Sequence, residues 1–168
     1  MFFISIAFMK IAIGSDHRGV SLRRIVAEIV RQAGHEIIDL GTFSDGPCDY
    51  PDVAGVVARM VARKEVDRGI LICGTGLGMA IAANKFPGVR AAPCHDDLTA
   101  ELSRLHNDAN VLCLSGDMLG PRLVERIVHT WLRTEFEGGR HLRRLNKIRE
   151  LECRNGKLSD CFQPRATQ

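Results

Sequence analysis

The chain has 168 residues, of which 45% are hydrophobic and 26% charged, so it is long enough for one globular domain with a buried core. Its formal net charge is only +3 and aromatic residues make up 5%, which argues against a surface built to bind nucleic acid. No apolar stretch is long enough to cross a bilayer, so we expect neither a nucleic-acid nor a membrane partner.

The cysteines and the two ends of the chain bear on its location and domain limits. The six cysteines have no paired C-x-x-C spacing and several lie in apolar segments, which is typical of reduced thiols in a cytoplasmic protein. Residues 1–8 are apolar but lack the basic region of a signal peptide, so we interpret them as an N-terminal extension. A polar, flexible tail is expected over 153–168, which leaves one domain over 9–152.

Short apolar strands alternate with amphipathic helices along the whole domain. Strands are predicted at residues 10–14, 36–41, 70–72, 88–92 and 110–115. Helices are predicted around residues 22–30, 53–62, 77–85, 96–105, 119–134 and 140–152. This order predicts a Rossmann-like three-layer α/β/α fold with a five-stranded parallel sheet joined by right-handed crossovers.

Parallel sheets of this kind bind ligands at the carboxyl ends of their strands. Four segments follow predicted strands and are therefore expected at one edge: residues 16–17, the loop 42–51, residues 73–79 and residues 95–96. In the first, Asp16 and His17 would overhang a site, although a helix-capping carboxylate beside a solvated imidazole is the structural alternative. In the second, Asp49 precedes Tyr50, the only tyrosine, whose ring could lie against a sugar. A proline that opens a helix at position 51 accounts for part of that segment.

The clearest candidate site is Cys73-Gly74-Thr75-Gly76-Leu77-Gly78, which follows a short β-branched strand. Glycines at every second position let the backbone approach a ligand, and the next helix would direct free N–H groups toward an anion. The same field favours a thiolate at Cys73 over the thiol. A lone cysteine more often packs as a small hydrophobe, but the neighbouring glycines favour a site here.

Met79 is incompatible with two other functions of a glycine-rich loop. A dinucleotide-binding G-x-G-x-x-G loop that starts at Gly74 would need glycine at position 79, although Asp96 and Asp97 lie at the spacing of a ribose-binding acid. A C-x5-R phosphatase loop would need arginine at the same position. A dinucleotide-dependent enzyme is therefore kept only as a third hypothesis.

Further candidates lie away from this edge. Arg140 and Arg144 share one face of the last helix and suit a phosphate monoester, although a solvated basic face is the structural alternative. His106 and Asn107 lie between the fourth helix and the fifth strand, at the amino edge of the sheet. From there they could reach a carboxyl-edge site only in a neighbouring subunit. We interpret His35, His129 and His141 as surface or packing residues and leave the role of His95 open.

Taken in order, these motifs resemble the type B ribose-5-phosphate isomerase family, which also includes the galactose-6-phosphate isomerase subunits. The resemblance covers the chain from about Met9 to Glu152. It is carried by residues 13–17, 49–51, 72–78 with 82–85, 106–112, and 137–141 with Arg144. It implies a metal-free and cofactor-free conversion of an aldose phosphate into a ketose phosphate through a cis-enediolate. It also implies a homodimer with shared active sites and a contribution from the C-terminal helix, in which dimers could pair into tetramers.

The resemblance also implies a role for each candidate residue. Cys73 would move the proton between C1 and C2, with Thr75 in support. His106 would open the sugar ring across the subunit boundary, with Asp16 as its counterpart. The enediolate oxygen would be held by the backbone amides of Gly74, Gly76, Leu77 and Gly78. The sugar ligands would be Asp49, Tyr50 and Asn107, and the phosphate ligands would be His17, Arg140 and Arg144.

One position departs from the family pattern. Asp117 stands where the family commonly has an arginine that helps to bind phosphate. A carboxylate close to a dianion is unfavourable, so either Asp117 points elsewhere or the substrate differs. Ribose 5-phosphate is the leading substrate. Another sugar or a phosphohexose is an alternative, and so is a non-catalytic sugar-phosphate sensor.

Overall fold

The computed structural model describes residues 8–43 and 46–154. Strands β1 to β5 span Lys10–Ser15, Glu36–Asp39, Arg68–Cys73, Ala91–Pro93 and Val111–Ser115. Helices α1 to α6 span Val20–Gln32, Tyr50–Ala62, Leu77–Ala83, Asp97–Leu105, Pro121–Arg133 and Gly139–Arg154. The predicted alternation of strands and helices is confirmed. Residues 1–7 of the predicted extension, positions 44 and 45 of the predicted loop, and the tail from residue 155 lie outside the described residues.

The five strands pair in parallel in the order β2-β1-β3-β5-β4. Strand β3 is central, with Ile70 opposite Ile13 of β1 and Leu112 of β5. All six residues of β3 are buried, because both faces of the strand are covered, and this explains its unbroken apolar pattern. The predicted α/β class with a five-stranded parallel sheet is confirmed.

Successive residues of a strand point to opposite faces of the sheet and enter separate cores. On one face Ile70 and Ile72 pack with α1 and α5, where Trp131 is fully buried. On the other face Leu71 and Cys73 pack with α2 and α3. No described residue of helix α6 belongs to either core, although its His141 and Leu145 are buried. None of the described helices is both long enough and apolar enough to span a membrane.

Helix α2 begins at Tyr50, three residues before the predicted start at Val53. Asp49 has extended backbone angles and is the N-cap residue, and Pro51 lies in the first turn. A proline is favourable there because the first amides of a helix have no intrahelical acceptor. Tyr50 therefore belongs to a helix and not, as expected, to a loop.

Strand β4 begins at Ala91 and not at the predicted Gly88. The Asn84 side chain pairs with both backbone groups of Ala91, since Nδ2 donates to Ala91 O at 2.8 Å and Ala91 N donates to Oδ1 at 2.9 Å. The Asn84 amide thus supplies hydrogen bonds that an edge strand lacks on its outer side. Asn84 is also the C-cap of α3, which ends two residues earlier than predicted. Helix α6, by contrast, is longer than predicted and ends at Arg154, two residues past the predicted domain end at Glu152.

The burial of β5 predicts that its apolar side chains contribute strongly to the stability of the fold. Leu112 is fully buried, whereas Leu98 on α4 is 61% exposed. Leu112→Ala is expected to lower the free energy of unfolding by about 2–5 kcal/mol, because it leaves a cavity in the core. The same substitution at Leu98 is expected to change it by less than about 0.5 kcal/mol. Urea unfolding followed by circular dichroism measures both, and equal losses would contradict this core assignment.

Candidate active site

Hydrogen bonds join the loops that follow β1, β3 and β5. Asp16 N donates to Ile72 O at 3.1 Å, and Gly116 N donates to Cys73 O at 2.8 Å. Ser115 Oγ also donates to Gly74 O at 2.6 Å. These bonds fix the position of residues 73–78, which we call the glycine turn, between its two neighbouring loops at the carboxyl edge of the sheet.

Cys73 ends the central strand and is only 4% exposed. Gly76 N donates to Cys73 Sγ at 3.2 Å. A backbone N–H directed at sulfur interacts more strongly with a thiolate than with a thiol. The structure therefore places the thiol beside a backbone donor at the start of α3.

Gly76 is the residue whose backbone this arrangement constrains most. Its φ is +79°, in the left-handed region, and it is the N-cap of α3. A Cβ atom here would lie 3.1 Å from Leu114 C and 3.2 Å from Leu114 O in β5. Both the conformation and the close approach to a neighbouring strand require glycine.

Two of the amides assigned to the enediolate already have partners within the turn. Gly76 N donates to the Cys73 sulfur, and Leu77 N donates to Thr75 Oγ1 at 3.3 Å. The Thr75 hydroxyl therefore caps the start of α3. Within the described residues no hydrogen bond joins this hydroxyl to Cys73.

Asp16 is buried and has a structural task. Its Oδ1 accepts from Arg18 N at 2.9 Å and from Gly19 N at 3.2 Å, which matches in part the capping alternative. His17 is exposed, and its Nδ1 accepts from Cys48 N at 3.3 Å. In the neutral ring Nε2 then carries the proton and can donate to a ligand.

Tyr50 lies directly over the glycine turn. A Cβ at Gly78 would come within 2.7–3.1 Å of three carbons of the Tyr50 ring, so only glycine leaves room for the phenol there. Asp49 precedes it, and its side chain makes no capping hydrogen bond to α2. The structure thus brings the Tyr50 ring next to Gly78, and Asp49 is the residue that precedes this tyrosine.

Asp117 points to Arg18. Arg18 Nε donates to Asp117 Oδ1 at 3.3 Å, and Nη2 makes a close ionic contact with Oδ2. This hydrogen-bonded ion pair raises the pKa of the Arg18 guanidinium. A Cβ at Gly74 would lie 2.9 Å from both Arg18 Nε and Asp117 Oδ2, so the pair lies directly over the turn. Asp117 is therefore neutralised within the same subunit.

His106 lies in a second cluster at the amino edge. It is the C-cap residue of α4, and the ring of His141 from α6 stacks on it with centroids 4.2 Å apart and planes 1° from parallel. Glu137 Oε2 lies 3.8 Å from His106 Nε2 and 3.7 Å from His141 Nε2. Arg140 adjoins them, since its Nε donates to His141 Nε2 at 3.2 Å. After burial and nearer groups, the positive charge of Arg144 also lowers the pKa of His141, so Arg144 belongs to this cluster.

Each chain therefore carries the predicted site residues in two groups at opposite edges of the sheet. The first group consists of Asp16, His17, Asp49, Tyr50 and the glycine turn. The second consists of His106, Asn107, Arg140 and Arg144. In the part of the chain that the structure describes, no hydrogen bond, ion pair or ring contact joins the two groups.

His106, Glu137 and His141 also form the described group that could hold a metal ion, with ligating atoms within 4.8 Å of one another. A metal ion bound by two imidazoles lies near the plane of each ring, whereas these two rings are parallel and stacked. The Arg140 donor also occupies His141 Nε2. Burial, and then His106, lower the pKa of His141, which favours the neutral ring. The arrangement suits hydrogen bonding better than metal ligation.

Residues 11–148 match the sequence model of the Ribose/Galactose Isomerase family. The chain belongs to this family. It is 51% identical over 146 residues to ribose-5-phosphate isomerase B of Escherichia coli K12, a match that covers 86% of this chain and 97% of that protein.

Solved structures of isomerase-family proteins have the same fold. Ribose-5-phosphate isomerase B of Clostridium thermocellum superposes with a TM-score of 0.86 at 52% identity, covering 88% of this chain and 99% of that one. The Mycoplasma genitalium enzyme, solved with bound ribulose-5-phosphate, gives a TM-score of 0.83 at 44% identity, with coverage of 88% and 98%. The family resemblance stated from the motifs is therefore confirmed.

In this isomerase-family chain, His95 and Asp96 lie apart from the glycine turn, although both were expected at the carboxyl edge. His95 follows β4, which is separated from β3 by β5. Asp96 is the N-cap of α4, where its Oδ1 accepts from Thr99 N at 2.6 Å. That backbone hydrogen bond lowers the pKa of the Asp96 carboxyl. The acid considered for a dinucleotide ribose is thus used as a helix cap.

Three neighbours of the predicted site received no role from the sequence: Arg18, Glu137 and His141. Each lies within three residues of a candidate, so proximity along the chain was the available signal. The pattern could not show that Arg18 meets a residue 99 positions away, or that His141 stacks on a ring from another helix.

The left-handed conformation of Gly76 predicts that a side chain at this position destabilises the fold. Gly76→Ala is expected to lower the free energy of unfolding by about 2–3 kcal/mol, because it combines backbone strain with contact against β5. Gly120, the N-cap of α5, has φ −79° and nothing within 4 Å of an added Cβ. Gly120→Ala is the matched control and is expected to cost less than about 1 kcal/mol in the same denaturant titration. Equal losses would show that Gly76 is not constrained.

Proposed function

We propose that this chain is an aldose–ketose isomerase that interconverts ribose 5-phosphate and ribulose 5-phosphate. The observation that carries the proposal is the buried Cys73 thiol at the end of the central strand, with Gly76 N 3.2 Å from its sulfur. A thiolate held by a backbone N–H beside an open edge can act as a base toward a C–H group. Family membership and the relative with bound ribulose-5-phosphate support the substrate class.

In the proposed reaction Cys73 removes the proton from C2 of the open-chain aldose, and the C1 carbonyl becomes part of a cis-enediolate. The proton then returns to C1 while the O2 proton moves to O1, so the atoms balance with no metal or cofactor. Amides of the glycine turn, from Gly74, Gly76, Leu77 and Gly78, would stabilise the negative oxygen. Each well-placed donor is worth about 3–4 kcal/mol in such a transition state. The amides of Gly76 and Leu77 would first have to exchange their present partners.

The remaining roles divide between two subunits. Asp49 and Tyr50 are assigned to the sugar and His17, through Nε2, to the phosphate. The partner subunit's His106 is assigned to ring opening, opposite Asp16. The other groups assigned to the partner are Asn107 for the sugar and Arg140 and Arg144 for the phosphate. Thr75 maintains the turn that carries the base.

A homodimer in which the amino edge of one subunit meets the carboxyl edge of the other would complete this site. Helix α6 supports this assembly, because Leu142, Ile148 and Leu151 are 44%, 43% and 56% exposed. The helix and strand β4 border a largely apolar groove of about 500 Å³. Exposed apolar surface of this kind is typical of subunit interfaces. Pairing of dimers into tetramers is an alternative assembly.

We also propose that the enzyme acts in the cytoplasm on a small-molecule substrate, without a nucleic-acid or membrane partner. Cys48, Cys73, Cys94 and Cys113 are free thiols, which supports a reducing compartment. The low net charge of +3 supports the absence of a polyanionic partner.

The proposed base can be tested by replacement. Cys73→Ala is expected to lower kcat for ribose 5-phosphate by about 10²–10⁴-fold, because no other group would take the C2 proton. Ligand-induced thermal stabilisation should persist, since the sugar and phosphate ligands are intact. A coupled absorbance assay in the presence of EDTA measures the rates.

Cys94→Ala is the matched control. This thiol is also buried, at the end of β4, and burial raises its pKa to about 11, so its replacement is expected to leave kcat unchanged. Turnover that survives Cys73→Ala would exclude the proposed base. Stabilisation of the wild-type chain by sugar phosphates without turnover of any would instead indicate a non-catalytic sensor.

The shared site can be tested by subunit complementation. Cys73→Ala and His106→Asn are each expected to inactivate the homodimer. Equal co-expression should form half heterodimers with one intact site each, and so recover about a quarter of wild-type activity. The control is co-expression of a Cys73→Ala chain with an Asp16→Asn chain. Both residues are assigned to the same site from one subunit, so neither site of the heterodimer is intact. Equal activity in the two mixtures would contradict a shared site.

A further inference from the structure

The proposed mechanism leaves unused the ion pair between Arg18 and Asp117. The pair connects the loops after β1 and β5 across the glycine turn, and each of its side chains is partly exposed, at 57% for Arg18 and 37% for Asp117. It lies against Gly74, the residue that follows the proposed base. A charged group in this position contributes to the field that a substrate meets when it enters the site.

The guanidinium of Arg18 has one edge available. Nε and Nη2 face Asp117, whereas Nη1 donates to no acceptor within residues 8–43 and 46–154. A planar guanidinium carries five N–H donors, so it can hold a carboxylate on one edge and a second anion on another. Arg18 can therefore keep its bond to Asp117 and still bind a ligand.

The carboxylates around this part of the site make such a cation necessary for an anionic substrate. After burial, the fields of Asp16, Asp52 and Asp49 raise the pKa of the neighbouring Cys48 thiol. A phosphate dianion would meet the same fields and would be repelled. Arg18 is exposed beside His17 and lies over the turn, where its charge opposes them.

We propose that Arg18 binds the phosphate of the substrate through its free edge, and that Asp117 holds the guanidinium over Gly74 while limiting the affinity for dianions. This inference rests on the proposed isomerase function. It places the phosphate between Arg18 of one subunit and the partner subunit's Arg140 and Arg144. The Arg18–Asp117 pair then determines how strongly the site distinguishes a phosphorylated sugar from a neutral one.

Arg18→Met tests the cation because it removes the charge and keeps most of the aliphatic stem. KM for ribose 5-phosphate and the inhibition constant for inorganic phosphate are both expected to rise about tenfold or more. By contrast, kcat should stay within about threefold, because Arg18 does not act on C1 or C2. Arg18→Lys, which keeps the charge without the planar fork, should give a smaller rise in both constants.

Asp117→Asn tests the carboxylate. The amide oxygen can still accept from Arg18 while the negative charge is removed, so both constants are expected to fall by about threefold or more. Arg126→Met is the matched control, since it breaks the exposed Arg126–Asp97 pair between α5 and α4. That control should leave both constants unchanged, and thermal unfolding of every variant checks that it is folded.

Several outcomes would overturn the inference. They are a KM for Arg18→Met within twofold of the wild type, a loss confined to kcat, or a raised KM with an unchanged phosphate inhibition constant. If wild-type protein turns over no aldose phosphate, the proposed function fails and Arg18 is tested by calorimetric titration with inorganic phosphate. Binding about tenfold weaker in Arg18→Met then supports the phosphate contact, and equal binding overturns it.

Discussion

The contact between Gly76 and the backbone of β5 constrains the rest of the candidate site. Because Gly76 has no side chain, it can adopt φ +79° against Leu114, and its amide then points at the Cys73 sulfur. The same conformation begins α3, which places Gly78 beneath Tyr50. The proposed base, the start of the helix and the ring proposed to contact the sugar therefore depend on one close approach between two neighbouring segments of backbone.

The two edges of the sheet carry different chemistry. The carboxyl edge holds a thiol within a turn of backbone amides, whereas the amino edge holds the stacked rings of His106 and His141. A parallel sheet separates its edges by the length of its strands, so a single chain does not bring the two groups together. An enzyme that needs both groups is therefore expected to complete its site with a second subunit.

Arg68 and Arg18 differ in burial, and this difference decides whether each can bind a ligand. Arg68 is buried at the amino edge, where Nη1 donates to the carbonyl oxygens of Trp131 and Leu132. Burial, and then the charge of Arg104, lower its pKa to about 10. Such a group links elements and is closed to ligands. Arg18 is exposed and, among the described residues, pairs with one carboxylate, so an edge of its guanidinium is left for the proposed anion.

The sequence by itself determined the strand and helix periods, the parallel sheet, the edge that carries Cys73 and the opposite edge that carries His106. These features follow from neighbouring residues and from the rule that parallel strands end at one edge. It did not determine the pairing of Asn84 with Ala91, the Arg18–Asp117 ion pair or the ring stacked on His106. Those contacts depend on the strand order β2-β1-β3-β5-β4 and on how the helices pack over it. Only the tertiary structure decided them, because they join side chains from separate elements and no periodicity in the sequence records such distances.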